Sequence, residues 1–174
     1  MTYKISILLA VILISLVMII PAAAQQSEIQ REQSSLKGIH NFYLVINVEG
    51  SKRITQQMAL NVPDLTNSFK DSLIQSGLHV LDDTERAKAN NAPYLYIHIN
   101  TMDAGRGLIP FNVEIDFYQP VELALNRSMP TLASTWETSA VGLVSMDQLP
   151  FILGSVSNLI KEFIRDYNSV NNQL

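Results

Sequence analysis

The sequence predicts an α/β (α+β) two-layer sandwich: a five-stranded mixed sheet with two main helices on one face, in the order β-α-β-β-β-β-α. Three observations predict it. The stretch Ala92–Thr101 alternates strictly after Pro93, with Leu95, Ile97 and Ile99 on one parity and Tyr94, Tyr96, His98 and Asn100 on the other. Such alternation is the period-two signature of a half-buried strand. Two more alternating runs follow it, and a strand–helix unit precedes it. Two stretches, one upstream and one near the carboxyl end, carry apolar residues at helical spacing, enough to cover one sheet face.

The chain opens on a leader. Met1–Lys4 carries one positive charge, the run from Ile5 to Ile20 is apolar but for Ser6 and Ser15, and Pro21 and Ala22-Ala23-Ala24 precede the polar Gln25-Gln26-Ser27. This is the layout of a secretory signal peptide with an A-x-A cleavage site. Residues 1–24 are therefore expected to be removed on export, leaving a periplasmic or secreted protein. The apolar run is shorter than the roughly 20 residues of a spanning helix, so contact with a membrane is expected only through an uncleaved leader.

Composition narrows the chemistry. The chain has no cysteine, which excludes disulfides, a Cys nucleophile, thiolate metal sites and a lipid anchor on a processed Cys. Removing the leader with Lys4 leaves 11 basic residues against 16 acidic ones. The basic residues are scattered, with Lys52-Arg53 the only adjacent pair, so no basic stripe suits nucleic acid or anionic lipid. A single α/β domain over residues 37–168 is expected, preceded by a polar, flexible spacer at 25–36 and followed by a frayed tail at 169–174. The spacer holds a formal S-x-x-K at Ser34-Ser35-Leu36-Lys37. That motif works only at the start of a buried helix and with further motifs absent here.

The elements follow in order. Phe42–Glu49 alternates, with Phe42, Leu44, Ile46 and Val48 facing one way. Ile54–Leu60 reads as a connection or a frayed turn. A helix opens at Asn61 or Val62, with Pro63 near its first position and Asp64 in its first turn. Leu65, Phe69 and Leu73 form its apolar stripe, and Gly77 closes it as a left-handed cap. His79-Val80-Leu81 reads as a strand. Asp82–Lys88 reads as a capped turn. After the strand at Tyr94–Thr101, the turn Asp103–Gly107 leads to a long strand at Phe111–Leu125. There Val113, Ile115 and Phe117 share one parity and Asn112, Glu114, Asp116 and Tyr118 the other. Pro120 predicts a bulge, a bend or an edge position in it. Asn126–Pro130 reads as a turn that contains a formal glycosylation sequon at Asn126. The last strand runs over Leu132–Val141, with Leu132, Trp136 and Ala140 on one side. Asp147 is placed to cap a helix over Leu149–Tyr167. The expected core comprises Leu44, Ile46, Phe69, Leu95, Ile97, Ile115, Phe117, Trp136, Val156 and Phe163.

Few of the chemistry-bearing residues converge. His40, His79 and His98 match no metal spacing. His98 is set on the polar side of its strand, where a hairpin brings it near Glu114 or Asp116. This arrangement suits an acid–base pair or a weak metal site, but the preferred reading is a cross-strand polar pair on a solvated face. Gly105-Arg106-Gly107 lacks the third glycine and the following helix of a phosphate cradle. What remains is an aromatic and acidic face: Tyr43, Tyr94, Tyr96, His98, Glu114, Asp116, Tyr118 and Glu137. Tyrosines on the wet side of a sheet provide contact area with few rotamers to freeze, which suits recognition, although Tyr is also favoured on half-exposed strands.

The run Leu73-Ile74-Gln75-Ser76-Gly77-Leu78-His79-Val80-Leu81-Asp82, with Arg86 and Ala92–Ile97, resembles a family of uncharacterised secreted bacterial proteins. Ser134-Thr135-Trp136-Glu137 and Phe163-Ile164-Arg165-Asp166-Tyr167 fit the same pattern. In helix and strand order the chain is also similar to the amino-terminal domain of TolB and to the core of the curli secretion lipoprotein CsgG. The resemblance implies an envelope interaction or assembly module, and neither a catalytic set nor a cofactor. The chain differs from both in lacking propeller repeats and a lipobox cysteine. Two functions follow as expectations. One is a non-catalytic module that binds an envelope protein through the Tyr-rich face or a sheet edge. The other is a small-molecule or envelope-lipid binder with a pocket between the last helix and the sheet.

Overall fold

Strand β2 (Tyr94–Thr101) is the hinge of the architecture, parallel to one neighbour and antiparallel to the other. The structure, a computed structural model, describes residues 27–57, 62–89 and 91–171; the leader read at residues 1–24 lies outside them. Residues 27–35 form helix α1. There follow β1 (Tyr43–Glu49), α2 (Lys52–Gln57), α3 (Val62–Gln75), α4 (Asp83–Lys88), β2, β3 (Leu108–Leu123), β4 (Asn126–Ser145), a short 3-10 turn (Met146–Gln148) and α5 (Pro150–Asn171). The strands form one sheet in the order β1-β2-β3-β4, with β1 parallel to β2 and both later pairs antiparallel. A parallel pair needs a crossover, and α2, α3 and α4 supply it.

The sheet has four strands among the described residues, not the expected five. His79-Val80-Leu81 is reduced to a single parallel bridge between Val80 and Phe42 on the outer edge of β1. The physical reason lies on either side of it. Gly77, at φ 87°, turns the chain out of α3, and Asp82 at once caps α4 in a reciprocal box with Glu85. Only one residue pair fits between the two caps: Phe42 N–H donates to His79 O and Leu81 N–H donates to Phe42 O.

Other boundaries differ from the reading of the sequence, and residues 54–57, read as part of a connection or a frayed turn, belong to α2. The segment read as a flexible spacer is helical from residue 27 to 35. It is held by tertiary bonds rather than by an apolar stripe: Ser35 Oγ donates to Thr135 O, Gln119 Nε2 donates to Ser35 O, and Leu36 beyond it is fully buried. The turn expected at Asn126–Pro130 is strand; the hairpin reverses at Ala124-Leu125, without the Gly or Asn that usually marks so tight a connection. At the carboxyl end, α5 continues to Asn171, where its side chain accepts from Gly38 N–H and donates to Leu36 O. Those bonds secure residues 169–171, which the sequence assigned to a frayed tail. Pro150 takes the first position of α5, where its missing N–H costs nothing.

The irregularity expected near Pro120 appears on both sides of it, between Phe117 and Tyr118 and between Glu122 and Leu123. At the first, Phe117 pairs with Trp136 and Tyr118 with Ser134, so Thr135 is the extra residue of a bulge. A bulge flips every side chain beyond it. Leu132 therefore faces away from Trp136, opposite to the side-sharing expected of them. Pro120 pairs with Leu132 in the part of the hairpin that overhangs β2, so its lack of an N–H removes no bond to a third strand.

The core fills the layer between one sheet face and α3 and α5. Leu95, Ile97 and Ile99 of β2 and Val113, Ile115 and Phe117 of β3 are all fully buried. Phe42, Phe117, Trp136 and Phe163 meet in edge and stacked contacts with ring centroids 5.1 to 5.7 Å apart. Every residue expected in the core is there, with Leu44 and Ile46 partly buried against it. Trp136 Nε1 donates to the buried Asp166 Oδ2 at 3.2 Å, and Arg165 Nε donates to Oδ1 at 3.0 Å. The buried Asp166 carboxylate is thus satisfied on both oxygens.

Candidate functional site

The opposite face of the sheet carries the side chains of the other parity, and the register places them in rows across the strands. Tyr43, Tyr94 and Tyr118 form one row, continued by Ser134. Val45, Tyr96, Asp116 and Glu137 form the next, and Asn47, His98, Glu114 and Ser139 the third. All eight residues selected from the sequence as a binding face lie in these three adjacent rows. The alternation explains why: in β2 and β3 the parity buried under α3 and α5 is aliphatic or aromatic apart from Thr101, leaving the Tyr, His and carboxylate set on the far side.

The tyrosines touch in a ladder. Tyr43 stacks on Tyr94 with centroids 5.1 Å apart, and Tyr94 on Tyr118 at 5.0 Å. Tyr96 meets Tyr118 edge-on at 6.3 Å. The guanidinium of Arg86, projecting from α4, lies 4.4 Å from the Tyr43 ring centre, within cation–π range. Burial, and then neighbouring acidic groups and tyrosines, push the Tyr94 and Tyr118 hydroxyls above their ordinary pKa, so both are neutral phenols at physiological pH.

His98 lies opposite Glu114, not Asp116. Its Nδ1 is 3.8 Å from Glu114 Oε2, and its Nε2 is 3.5 Å from Glu49 Oε1 across β1. Both distances exceed a good hydrogen bond, and Nε2 is buried without a hydrogen-bond partner among the described residues. Glu114 Oε1 is instead bonded by Asn112 Nδ2 at 2.6 Å. The group is a loose cross-strand polar cluster. Among the described residues, His, Asp and Glu side chains nowhere gather in a set able to hold a metal ion.

Sequence reasoning missed the wall beside this face. Glu28, Ile29 and Glu32 of α1 overhang β4 and, with Glu114, Asp116, Glu137, Thr138 and Ser139, line an open trough of about 540 Å³. Its carboxylates crowd one another. Burial first, then Glu137 and Glu114, raise the Asp116 pKa against the bond it accepts from Ser134. Burial, then Glu137 and Glu28, raise that of Glu32. The spacing of Glu28 and Glu32, one helical turn apart, is the sequence signal for this wall, and it has meaning only once the segment is helical. A second groove, of about 430 Å³, lies where β4 meets α5 and is lined by Leu143, Val144, Asp147, Gln148, Pro150 and Phe151.

No protein-family model matches this chain, and no curated protein does. Among solved structures it is similar to a minor lipoprotein from Acinetobacter baumannii, at 12% sequence identity and a TM-score of 0.32 over 75% of this chain and 94% of that one. A likeness of that size assigns neither fold nor activity.

Proposed function

We propose that this chain is an exported, non-catalytic interaction module of the bacterial envelope that binds a protein through its open, Tyr-rich sheet face. The observation that carries this reading is the stacked row Tyr43–Tyr94–Tyr118 with Tyr96 against it, on a face that neither α3 nor α5 covers. Rings braced by one another and by the strands have little rotameric freedom left to lose, so ordering them against a partner costs little. The export assignment rests on the leader alone, and the likeness to TolB and CsgG belongs to the same proposal.

Capture from an envelope extract tests it. Tyr96→Ala and Tyr118→Ala should each weaken recovery of the partner by about thirtyfold, near 2 kcal/mol, the size of an interface anchor. Both lie on the parity opposite the core, so thermal unfolding should stay close to wild type. Full recovery by both folded variants would refute the face as the binding site.

A ligand site beside α5 is the second reading, favoured by the apolar groove at Leu143 and Phe151. Phe151 is 67% exposed and Leu143 61%, an arrangement that suits an apolar small molecule or acyl chain. Phe151→Ala should abolish uptake of a fluorescent fatty acid if that reading holds, and should leave protein capture unchanged if the first does.

A further inference from the structure

The acidic trough identifies the kind of segment the Tyr face would take. We infer that it binds an extended stretch of a partner protein carrying Lys or Arg at alternate positions, an inference that rests on the binding-face reading above.

Three observations converge on it. First, the charge is one-sided: the trough is lined by the carboxylates of Glu28, Glu32, Glu114, Asp116 and Glu137, with no Lys or Arg among its described lining residues. Arg31, in the adjoining groove, offsets part of their mutual repulsion at Glu32, and cations brought from outside would relieve the rest. Second, the same face already binds a guanidinium within this chain. Arg86 lies over Tyr43 at one end of the aromatic row, while at the other end Tyr118 and Tyr96 lie beside Asp116. A ring face next to a carboxylate suits a guanidinium on both counts.

Third, the spacing is that of a polypeptide. Glu114, Asp116 and Tyr118 alternate along β3, and so recur every ~6.6 Å, twice the strand rise. Same-side side chains of any extended chain repeat at that interval. A segment lying along β3 with basic residues at alternate positions would match both carboxylates in register and end on Tyr118. A single metal ion uses none of this periodicity. An apolar ligand would bury carboxylates without pairing them, which is costly.

Binding of a short labelled peptide of alternating arginine and serine to the leaderless protein tests the inference, with a peptide bearing uncharged citrulline for arginine as its control. The arginine peptide should bind and the citrulline peptide should not. Asp116→Asn and Glu137→Gln should each weaken binding by about tenfold, the scale of one charge-assisted hydrogen bond. Glu137 is exposed, so its variant reports even if Asp116→Asn disturbs the fold. Glu122→Gln, on the exposed overhang of the same hairpin, should change nothing.

Equal binding of both peptides would overturn the inference. So would an equal loss in Glu122→Gln, which would mean that net charge alone attracts the peptide. Spermidine or calcium competing at the peptide's own affinity would do so too, since the trough would then be a small-cation site. Should the inference fail while Tyr96→Ala and Tyr118→Ala still lose partner capture, the binding face stands and only the basic segment is wrong.

Discussion

Gly142 lies opposite Phe111 in the β3–β4 pair, and the missing side chain is what makes room for that ring. A Cβ at this position would come within 2.5 Å of two Phe111 ring atoms. Gly142→Ala must therefore push the ring off its rotamer or bend β4, and should cost about 1–3 kcal/mol, read as a drop in the urea midpoint at unchanged slope. A variant as stable as wild type would show that Phe111 has space to move. The same scale separates residues legible in sequence from those that were not. Tyr94, Tyr96 and His98 were placed correctly because alternation alone decides which way a strand residue points. Leu132 was misplaced because a single extra residue, Thr135, reverses that alternation and leaves no mark in composition.

At the scale of elements, α5 shows how much of an amphipathic stripe can be read directly. Ile152, Val156, Leu159, Ile160, Phe163 and Tyr167 recur at helical spacing, and all are buried. Phe163 is the hub, in ring contact with Phe42, Phe117, Trp136 and Tyr167. Phe163→Ala should cost about 3–5 kcal/mol, and chemical denaturation would measure it; an unchanged midpoint would mean that α5 is not the cover of the sheet. Helix α1 is the opposite case. Its tertiary bonds run from Ser35 to Thr135 and Gln119, and Leu36 just beyond it is bonded by Asn171 at the end of α5. No periodicity announces such a helix, because what holds it is a polar fit to residues far along the chain.

At the scale of the whole molecule, the charge of the open face makes stability depend on pH. Glu32 and Asp116 have folded-state pKa values raised by burial and by neighbouring carboxylates, with Arg31 acting the other way on Glu32 and His98 on Asp116. A carboxyl raised on folding favours the folded state when protonated. Its contribution therefore grows as pH falls through the raised value and is complete below the ordinary range near about 4. Asp82, Asp103 and Asp147 have the opposite sign. Bonds from the Glu85 and Gly105 backbone and the Ser145 side chain, respectively, are the leading causes that lower them. Their stabilisation is present above the ordinary value and lost as pH falls through the lowered ones. The thermal midpoint should thus rise as pH falls through the raised values and drop again below the ordinary carboxylate range near about 4. The pair Glu32→Gln and Asp116→Asn should flatten the rise and leave the fall. A wild-type midpoint that only decreases on acidification would contradict the crowding of the trough.

The class of fold, the helix-side core, the parity of every central strand and hence the membership of the Tyr-rich face are legible in the amino-acid chain alone. These follow from local periodicity: a half-buried strand or helix must repeat its apolar residues at its own period, whatever it packs against. Tertiary structure alone decided the number of strands, the course of residues 27–35 and the trough they enclose. Whether His79–Leu81 pairs along its length or at one bridge depends on how closely two caps hem it in. Whether Glu28 and Glu32 face solvent or Glu137 depends on bonds between Ser35 and Thr135, 100 positions apart. Interactions over that separation leave no period in the chain, because each is set by the meeting of two segments and is written in neither.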